Sequence, residues 1–412
     1  MRAAARAPSK RKPPLEYNLL LTATLCLLAL GAVMVYSASS ARTLLQGDGD
    51  GTTYLVRYLV YGGAGFVALH VLARRGLDAV VRWTGPLLAF SFACLVAVKL
   101  PGMGVEVNGA RRWLGAGPLV FQPSEVAKLA LVLYGAKFLA PKAGRLRTPR
   151  NVTPLLLVAG TMLLLIASQP DLGTALVIAF TLTALLVAAG FPVRYLLLGA
   201  GVATVLVTLY AISAPYRRAR LTTFLDPWAH AGGAGFQAVQ GQIALGSGGL
   251  FGRGIGQSVQ KIFYLPEAHT DFILAIIGEE LGVAGVLAVL SLYGMVAYAG
   301  LRVAKAARGA YAKLLAAGIT SLILSQACLN VFAVLGLAPL TGVPLPFISY
   351  GATNLTVLLA GIGLLLNVAA GGSVRLRVVA GSRPDGAQDR DRRGRDGGSR
   401  GARAGRRGRA AG

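Results

Sequence analysis

A group of titratable side chains lies directly before an apolar stretch in the second half of the chain. Glu267, His269 and Asp271 fall within five residues of one another, and Thr270 stands between the last two. A carboxylate in such a cluster can accept a proton from a substrate hydroxyl, so Asp271 is a candidate general base. A structural role is the alternative, because Thr270 or Asp271 is also a good N-cap for the helix that follows.

A second cluster combines cationic groups with the start of a helix. Its members are Arg111, Arg112, Trp113, Ser124, Glu125 and Lys128. The structural interpretation is that Ser124 caps the helix and that Glu125 pairs with Lys128 one turn later. The functional interpretation is a cationic wall in which both arginines and Lys128 bind an anionic lipid headgroup, since arginine contacts phosphate in a bidentate manner.

Two further segments place polar groups between apolar spans. Asp171 lies in the turn 169–174, where capping of the next helix is the favoured role and positioning of cations or of the arginines is the alternative. Ser349 lies in the uncharged segment 339–354, whose three prolines predict irregular backbone that is buried or lines a cavity. The three histidines are too scattered for a zinc site, so the residues predict no metal site.

The composition indicates which elements position these clusters. The chain has 412 residues, of which 55% are hydrophobic and only 14% are charged. Ten membrane spans of about 20 residues each would use most of the apolar residues. A single soluble domain, a disordered chain and a disulfide scaffold are therefore excluded. The sequence predicts an all-α polytopic membrane protein with about ten transmembrane helices.

The distribution of charge predicts the topology. The net charge is +25, but the basic residues lie between apolar spans, so membrane topology explains them better than a nucleic acid partner does. The positive-inside rule places both termini in the cytoplasm. The predicted parts are a basic cytoplasmic tail (1–16), a membrane domain (17–371) with one large extracytoplasmic loop (about 217–270), and a disordered Arg/Gly-rich cytoplasmic tail (372–412).

Seven segments point to one known family. They are NGARRWL, FQPSEVAKLALVLY, QPDLGTALV, YRRARLTTFLDPW, GFQAVQGQIALGSGGLFGRGIG, YLPEAHTDFILAIIGEELG and PLTGVPLPFISYG. In this order, over about residues 17–371, they resemble the FtsW/RodA family of shape, elongation, division and sporulation proteins, and most of all its FtsW branch. One departure is Gly-Ala-Thr-Asn at 351–354, where family members often have GGSS or GGTS. The resemblance therefore assigns no role to Thr353 or Asn354.

The resemblance implies a peptidoglycan glycosyltransferase that polymerises lipid II into glycan strands, by inversion and from a lipid-pyrophosphate donor. It implies that Asp271 is the essential carboxylate. The residues expected to bind substrate are Arg111, Arg112, Trp113, Glu125, Lys128, Asp171, Glu267, His269, Thr270 and Ser349. No nucleotide is needed, and a divalent cation (Mg or Mn) could assist the departure of pyrophosphate.

The resemblance also implies the setting. The protein is expected in the bacterial cytoplasmic membrane at the division septum, with a class B penicillin-binding protein, other divisome membrane proteins and membrane lipids as partners. A RodA-like elongation polymerase, a lipid II flippase and a pure scaffold remain alternatives. Transport would need polar groups along a path through the bilayer, and Glu279 and Glu280 are the main acids expected below Asp271.

Overall fold

The chain is mostly helical, because long apolar runs without charges satisfy their backbone groups internally only as helices in a membrane. The computed structural model describes residues 14–46, 50–107, 110–116, 119–212, 222–233, 235–262 and 265–374. Most of both predicted tails and residues 213–221 of the predicted large loop lie outside these ranges.

Eleven helices are labelled within the described residues. They are α1 (Leu15–Gln46), α2 (Thr53–Arg74), α3 (Leu77–Ala97), α4 (Pro123–Leu139), α5 (Thr153–Ala167), α6 (Leu172–Ala188), α7 (Val193–Ile212), α8 (Phe236–Ser247), α9 (Ile273–Ala306), α10 (Ala310–Val334) and α11 (Ala352–Ala369). Helices α1, α2, α3, α9, α10 and α11 are long and apolar enough to cross a membrane. This confirms a helical protein with several candidate spans, whereas the count of ten and the placement of the termini stay predictions.

A small sheet interrupts the helices, so the expectation of an all-α fold is wrong for one loop. Strands β1 (Gly104–Val107), β2 (Ala110–Ala116) and β3 (Leu119–Phe121) form an antiparallel sheet in the order β1-β2-β3. Val105 pairs with Trp113, and Leu114 pairs with Phe121. Aromatic and β-branched residues in such cross-strand pairs stabilise a sheet. We call the end of the bundle where α3 ends and α4 begins the sheet end.

The innermost helices are α4, α10 and α11, each of which has buried residues on nearly every side. Small residues let the neighbouring helices approach closely. A Cβ added at Gly65 in α2 would lie 2.7 Å from Leu359 of α11, and one at Gly363 of α11 would lie 2.5 Å from the Leu69 carbonyl of α2. This tight pair holds the start of α2 beside the segment that precedes α11.

Helix α9 is broken near its beginning. Gly282 has φ 68° and ψ −165°, so the helix consists of a short segment (273–281) and a long one (283–306). The long segment alone rises about 36 Å at 1.5 Å per residue, which is enough to cross a bilayer. The short segment precedes the long one and lies towards the sheet end.

The segment between α10 and α11 has irregular backbone, as its prolines predict. Its carbonyls are satisfied by side chains of the surrounding helices, which is what buried backbone outside regular structure requires. Tyr58 donates to the Phe347 carbonyl (2.5 Å), Tyr293 donates to that of Pro346 (2.5 Å), and Gln326 donates to that of Pro344 (2.9 Å).

Candidate active site

Asp271 lies at the sheet end, directly before the short segment of α9. The residue at the N-cap position is Phe272, and no side chain caps this helix. Thr270 instead donates from Oγ1 to the Glu267 carbonyl (2.9 Å) and to Oδ1 of Asp271 (3.1 Å). The prediction that Thr270 or Asp271 caps α9 is therefore wrong, because the Thr270 hydroxyl is turned towards the carboxylates.

The surroundings of Asp271 favour its neutral form. Burial raises the pKa of the Asp271 carboxyl from 3.8 to about 6, against the opposing hydrogen bonds from its own amide and from Thr270, and with help from the charge of Glu267. Asn330 of α10, which is buried, fixes the backbone by donating from Nδ2 to the Asp271 carbonyl (2.7 Å) and to that of Val343 (2.8 Å). A partly exposed carboxylate with a pKa close to neutral is suited to general base work.

His269 is held by aromatic rings. Its imidazole centroid lies 4.3 Å from that of Tyr54 and 5.7 Å from that of Tyr350, and the two tyrosines make an edge contact at 5.1 Å. The Tyr350 amide also donates to the His269 carbonyl (3.0 Å). His269 is buried in this arrangement, so the structure gives it a packing role next to the site.

Lys128 does not belong to an exposed cationic wall. Its ammonium group forms an ion pair with Glu125 (2.9 Å) and donates to Oε1 of Gln326 (2.8 Å), and the Lys128 and Glu125 side chains are 1% and 2% exposed. Asn354 donates to the same Glu125 carboxylate (2.6 Å). The predicted Glu125–Lys128 pair is confirmed, whereas the expectation that Lys128 faces a headgroup is not met, because the lysine is enclosed within α4, α10 and α11.

We expect Lys128→Met to lower stability strongly. Removal of the cation leaves Glu125 as a buried charge without a counter-ion, which costs about 3–5 kcal/mol. The double variant Glu125→Gln/Lys128→Met carries no buried charge and should recover most of the melting temperature of the detergent-purified protein. An unchanged melting temperature in the single variant would contradict the buried pair.

Asp171 caps α6, as its favoured interpretation predicted. Its Oδ1 accepts from the Thr174 amide (3.2 Å), and its Oδ2 accepts from Nε2 of Gln122 (3.2 Å). Ser124 does not cap α4, because the N-cap is Gln122 and the Ser124 hydroxyl points towards Asp171 Oδ2 at 3.5 Å. Asp171 is thus a buried link between two helix starts.

The two arginines of β2 have different partners. Arg112 donates to the carbonyls of Gln169 (3.0 Å) and Pro170 (2.5 Å) and is half-buried. Arg111 is exposed and pairs with Glu106 of β1 at 3.2 Å. Trp113 is half-buried on the same strand. The sheet therefore presents Arg111 to solvent and uses Arg112 to hold the turn that precedes Asp171.

Ser349 and three polar residues complete the sheet end. The Ser349 hydroxyl accepts from the Leu345 amide (2.7 Å) and is buried, so it shapes the turn before α11. Thr353, to which the family pattern assigns no role, accepts from the Gln122 amide (3.0 Å). Gln326 donates to the irregular segment and also accepts from Lys128 of the neighbouring helix α4, while Asn330 donates to the irregular segment and to the Asp271 carbonyl. Their one-turn spacing on α10 was the signal for a shared polar face.

The fold and the site together are those of a polytopic membrane protein that has acidic and cationic residues at one end of its helical bundle. The FtsW/RodA/SpoVE family model, described as "Cell cycle protein", matches residues 17–373. The chain belongs to this family.

Relatives and solved structures agree with that membership. The chain is 41% identical to stage V sporulation protein E of Bacillus subtilis over 85% of this chain and 96% of that protein. It is 40% identical to the probable peptidoglycan glycosyltransferase FtsW of Trichlorobacter lovleyi, over 86% and 94%. A chain of a peptidoglycan synthase complex is similar with TM-score 0.70 and 31% identity, over 85% and 96%. RodA of Thermus thermophilus gives TM-score 0.64 and 29% identity, over 88% and 98%.

Proposed function

We propose that this chain is a peptidoglycan glycosyltransferase that polymerises lipid II, with Asp271 as the general base. The observation that carries the proposal is the placement of Asp271, a partly exposed carboxylate with a pKa of about 6 that Asn330 anchors through its backbone. Several relatives, including that of Geobacter sp., bear the name "probable peptidoglycan glycosyltransferase FtsW". The FtsW-named and SpoVE relatives support a role in division or sporulation, and a RodA-like role in elongation is the alternative.

The reaction joins two lipid-linked disaccharides. Asp271 accepts the proton of the acceptor's 4-hydroxyl as its oxygen attacks the anomeric carbon of the donor. The bond from that carbon to undecaprenyl pyrophosphate breaks on the opposite face, so an α-linked donor yields a β-linked strand. Charge develops on the departing pyrophosphate, and Arg111 and Arg112 are the sheet's cationic groups that could stabilise it.

A divalent cation is part of the proposal. The described residues hold no group of three or more His, Cys, Asp or Glu side chains of the kind that binds a metal. These residues therefore offer no dedicated cage for a metal ion, and Mg or Mn would enter with the donor's pyrophosphate and neutralise the leaving group.

The proposed partners are a class B penicillin-binding protein, other divisome membrane proteins and the surrounding lipids. A similar chain belongs to a peptidoglycan synthase complex, which supports a partner that crosslinks the strands. The proposed location is the cytoplasmic membrane at the septum, with both termini in the cytoplasm and Asp271 on the outer face.

Transport gains no support from Glu279 and Glu280. Their carboxylates accept hydrogen bonds from the loop residues 258–261 and from Ser37 of α1. These acids are buried and are held by groups of the protein itself, so their contacts give no support to a transport path.

The test of the function is strand synthesis by the purified full-length protein from purified lipid II, with a class B penicillin-binding protein present. We expect polymer of several disaccharides on a gel. A parallel assay measures movement of fluorescent lipid II across vesicles that contain the protein. Movement of lipid II without polymer would overturn the proposal in favour of transport. The absence of both activities would favour a scaffold.

Arg112→Ala is expected to lower kcat/KM for lipid II about tenfold, equivalent to about 1.4 kcal/mol. The reason is that the arginine holds the 169–170 turn, and that its positive charge would stabilise the departing pyrophosphate. Arg147→Ala is the matched control, because Arg147 is an exposed arginine at the opposite end of the bundle and should change little. Equal kcat/KM values for the two variants would count against a role for Arg112.

A further inference from the structure

The break in α9 is filled by the glycine-rich loop that follows α8. The amides of Arg253 and Gly254 donate to the carbonyls of Glu279 and Glu280 (both 3.0 Å), which end the short segment. In return, the loop carbonyls of residues 249 and 250 accept from the amides of residues 283 and 284 (3.0 and 3.1 Å), which begin the long segment. The loop thus satisfies two carbonyls at one helix end and two amides at the other, all of which the break exposes.

The side chains of Glu279 and Glu280 hold the same loop. Glu279 accepts from the Ser258 hydroxyl (2.5 Å) and from the amides of Val259 (3.1 Å) and Gln260 (3.4 Å). Both glutamates are buried. Arg253, which is half exposed, pairs with Glu279 at 3.5 Å.

Glu280 joins the loop to α1. It forms an ion pair with the buried Lys261 (2.8 Å), and Ser37 of α1 donates to both of its carboxylate oxygens (2.7 Å each). Lys261 also donates to the Ser37 hydroxyl (3.0 Å). We call Ser37, Ser258, Lys261, Glu279 and Glu280 the buried clamp. The two carboxylates of the clamp are balanced by its buried Lys261 and by the half-exposed Arg253 beside it.

The clamp acts at the opposite end of the short segment from Asp271. The nine residues 273–281 rise about 13 Å at 1.5 Å per residue. Because Gly282 interrupts the helix, the long segment below does not fix the direction of the short one. The lower end of the short segment is held by the clamp, and its upper end by the bond from Asn330 to the Asp271 carbonyl.

We infer that Glu279 and Glu280, through the buried clamp, are positioning residues that set where the Asp271 carboxylate lies relative to the substrate. This inference rests on the proposed function of Asp271. A shift of the clamp tilts the short segment and moves Asp271 at its far end. A displacement of about 1 Å at reacting groups can cost about a hundredfold in rate.

The test compares Glu280→Gln and Lys261→Met with wild type, using full-length protein with its class B penicillin-binding protein. Asn367→Leu is the matched control. Asn367 is buried and binds carbonyls of Leu72 (2.9 Å) and Ala73 (3.1 Å), so its loss also removes buried hydrogen bonds, but at the other end of the bundle. The measurements are kcat and KM for lipid II, the pH profile of kcat/KM, and the melting temperature.

We expect both clamp variants to lose at least about tenfold in kcat while KM changes less than about twofold. Their acid limb should also move from that of wild type, because Asp271 leaves its present surroundings. The control should lower the melting temperature and leave kcat and the acid limb unchanged. The charge-neutral double variant Lys261→Met/Glu280→Gln should recover the melting temperature but not kcat. Recovery of kcat together with the melting temperature would overturn the inference.

Carbodiimide labelling of Asp271, read by mass spectrometry over a range of pH, tests the position without any activity. We expect the pH midpoint of labelling to move in Glu280→Gln and to stay in Asn367→Leu. Ser37→Ala is the milder variant if Glu280→Gln does not fold. An unmoved midpoint in every clamp variant would overturn the inference. A wild-type protein that makes no polymer while the midpoint still moves would overturn the proposed function instead.

Discussion

Asp271→Asn is expected to reduce strand synthesis by about 10²–10⁴-fold, the usual contribution of a positioned general base. The amide has nearly the shape of the carboxylate but cannot accept the acceptor's proton. The anchoring bond from Asn330 goes to the backbone carbonyl of residue 271, so it is retained in the variant. The measurement is polymer formed per unit time from purified lipid II with the class B penicillin-binding protein present.

Asp226→Asn is the matched control for this loss. Asp226 is an exposed carboxylate in the segment before α8, and among the described residues it accepts from the Ala229 amide (3.1 Å). We expect its substitution to leave the rate nearly unchanged. Full activity in Asp271→Asn would remove Asp271 as the base and direct attention to Glu267, which lies next to it.

The raised pKa of Asp271 also fixes the signs of two pH effects. Below a pH of about 6 the carboxyl is protonated, so kcat/KM should fall tenfold for each further pH unit. Above that pH Asp271 is ionised in the folded protein, and burial of its charge lowers the free energy of unfolding. This loss of stability is relieved as the pH falls through about 6, where the carboxyl becomes protonated. Asp271→Asn removes the cost, so its melting temperature at pH 7.5 should equal or exceed that of wild type.

The membrane class, the irregular buried segment and the place of Asp271 could all be predicted from the sequence. Each depends on local signals, namely uncharged apolar runs, three closely spaced prolines and a titratable cluster before such a run. The Glu125–Lys128 pair was equally visible, because residues three apart on a helix are neighbours.

The hydrogen-bond partners of these residues could not be predicted, because the partners come from distant parts of the chain. Lys128 has the right charge for a headgroup, but Gln326 encloses it from 198 positions away. Ser124 and Thr270 have the right types for caps, yet each hydroxyl points towards a neighbouring carboxylate. Tertiary contacts outweigh local propensity at these positions, and they do so where the chain builds its site.

The break in α9 escaped prediction for a different reason. The segment Asp271–Leu281 is followed by further apolar residues without proline, and a straight helix is the natural interpretation of such a sequence. Gly282 and the glycine-rich loop 246–256 are the sequence signals of the break, because glycines let the backbone of one segment come very close to another. A Cβ at Gly252 would lie 2.1 Å from the Glu280 carbonyl oxygen.

Gly282→Ala is therefore expected to destabilise the protein more than most glycine-to-alanine substitutions among the described residues. Its backbone conformation is one that only glycine adopts readily. A Cβ there would also lie 2.4 Å from the Gly252 amide nitrogen and 2.6 Å from the Leu250 carbonyl. Strain and overlap together should cost about 3–5 kcal/mol. The melting temperature of the purified protein measures this cost.

Gly256→Ala separates the two contributions. Gly256 also has a positive φ of 85°, but a Cβ there would meet nothing within 4 Å. Its substitution should cost only the backbone strain, about 1 kcal/mol, and leave strand synthesis close to wild type. Gly282→Ala must instead push the loop out of the break, which releases Glu279 and Glu280 from their partners, so it should lose activity as well as stability. Equal effects of the two substitutions would mean that the loop is not held in the break.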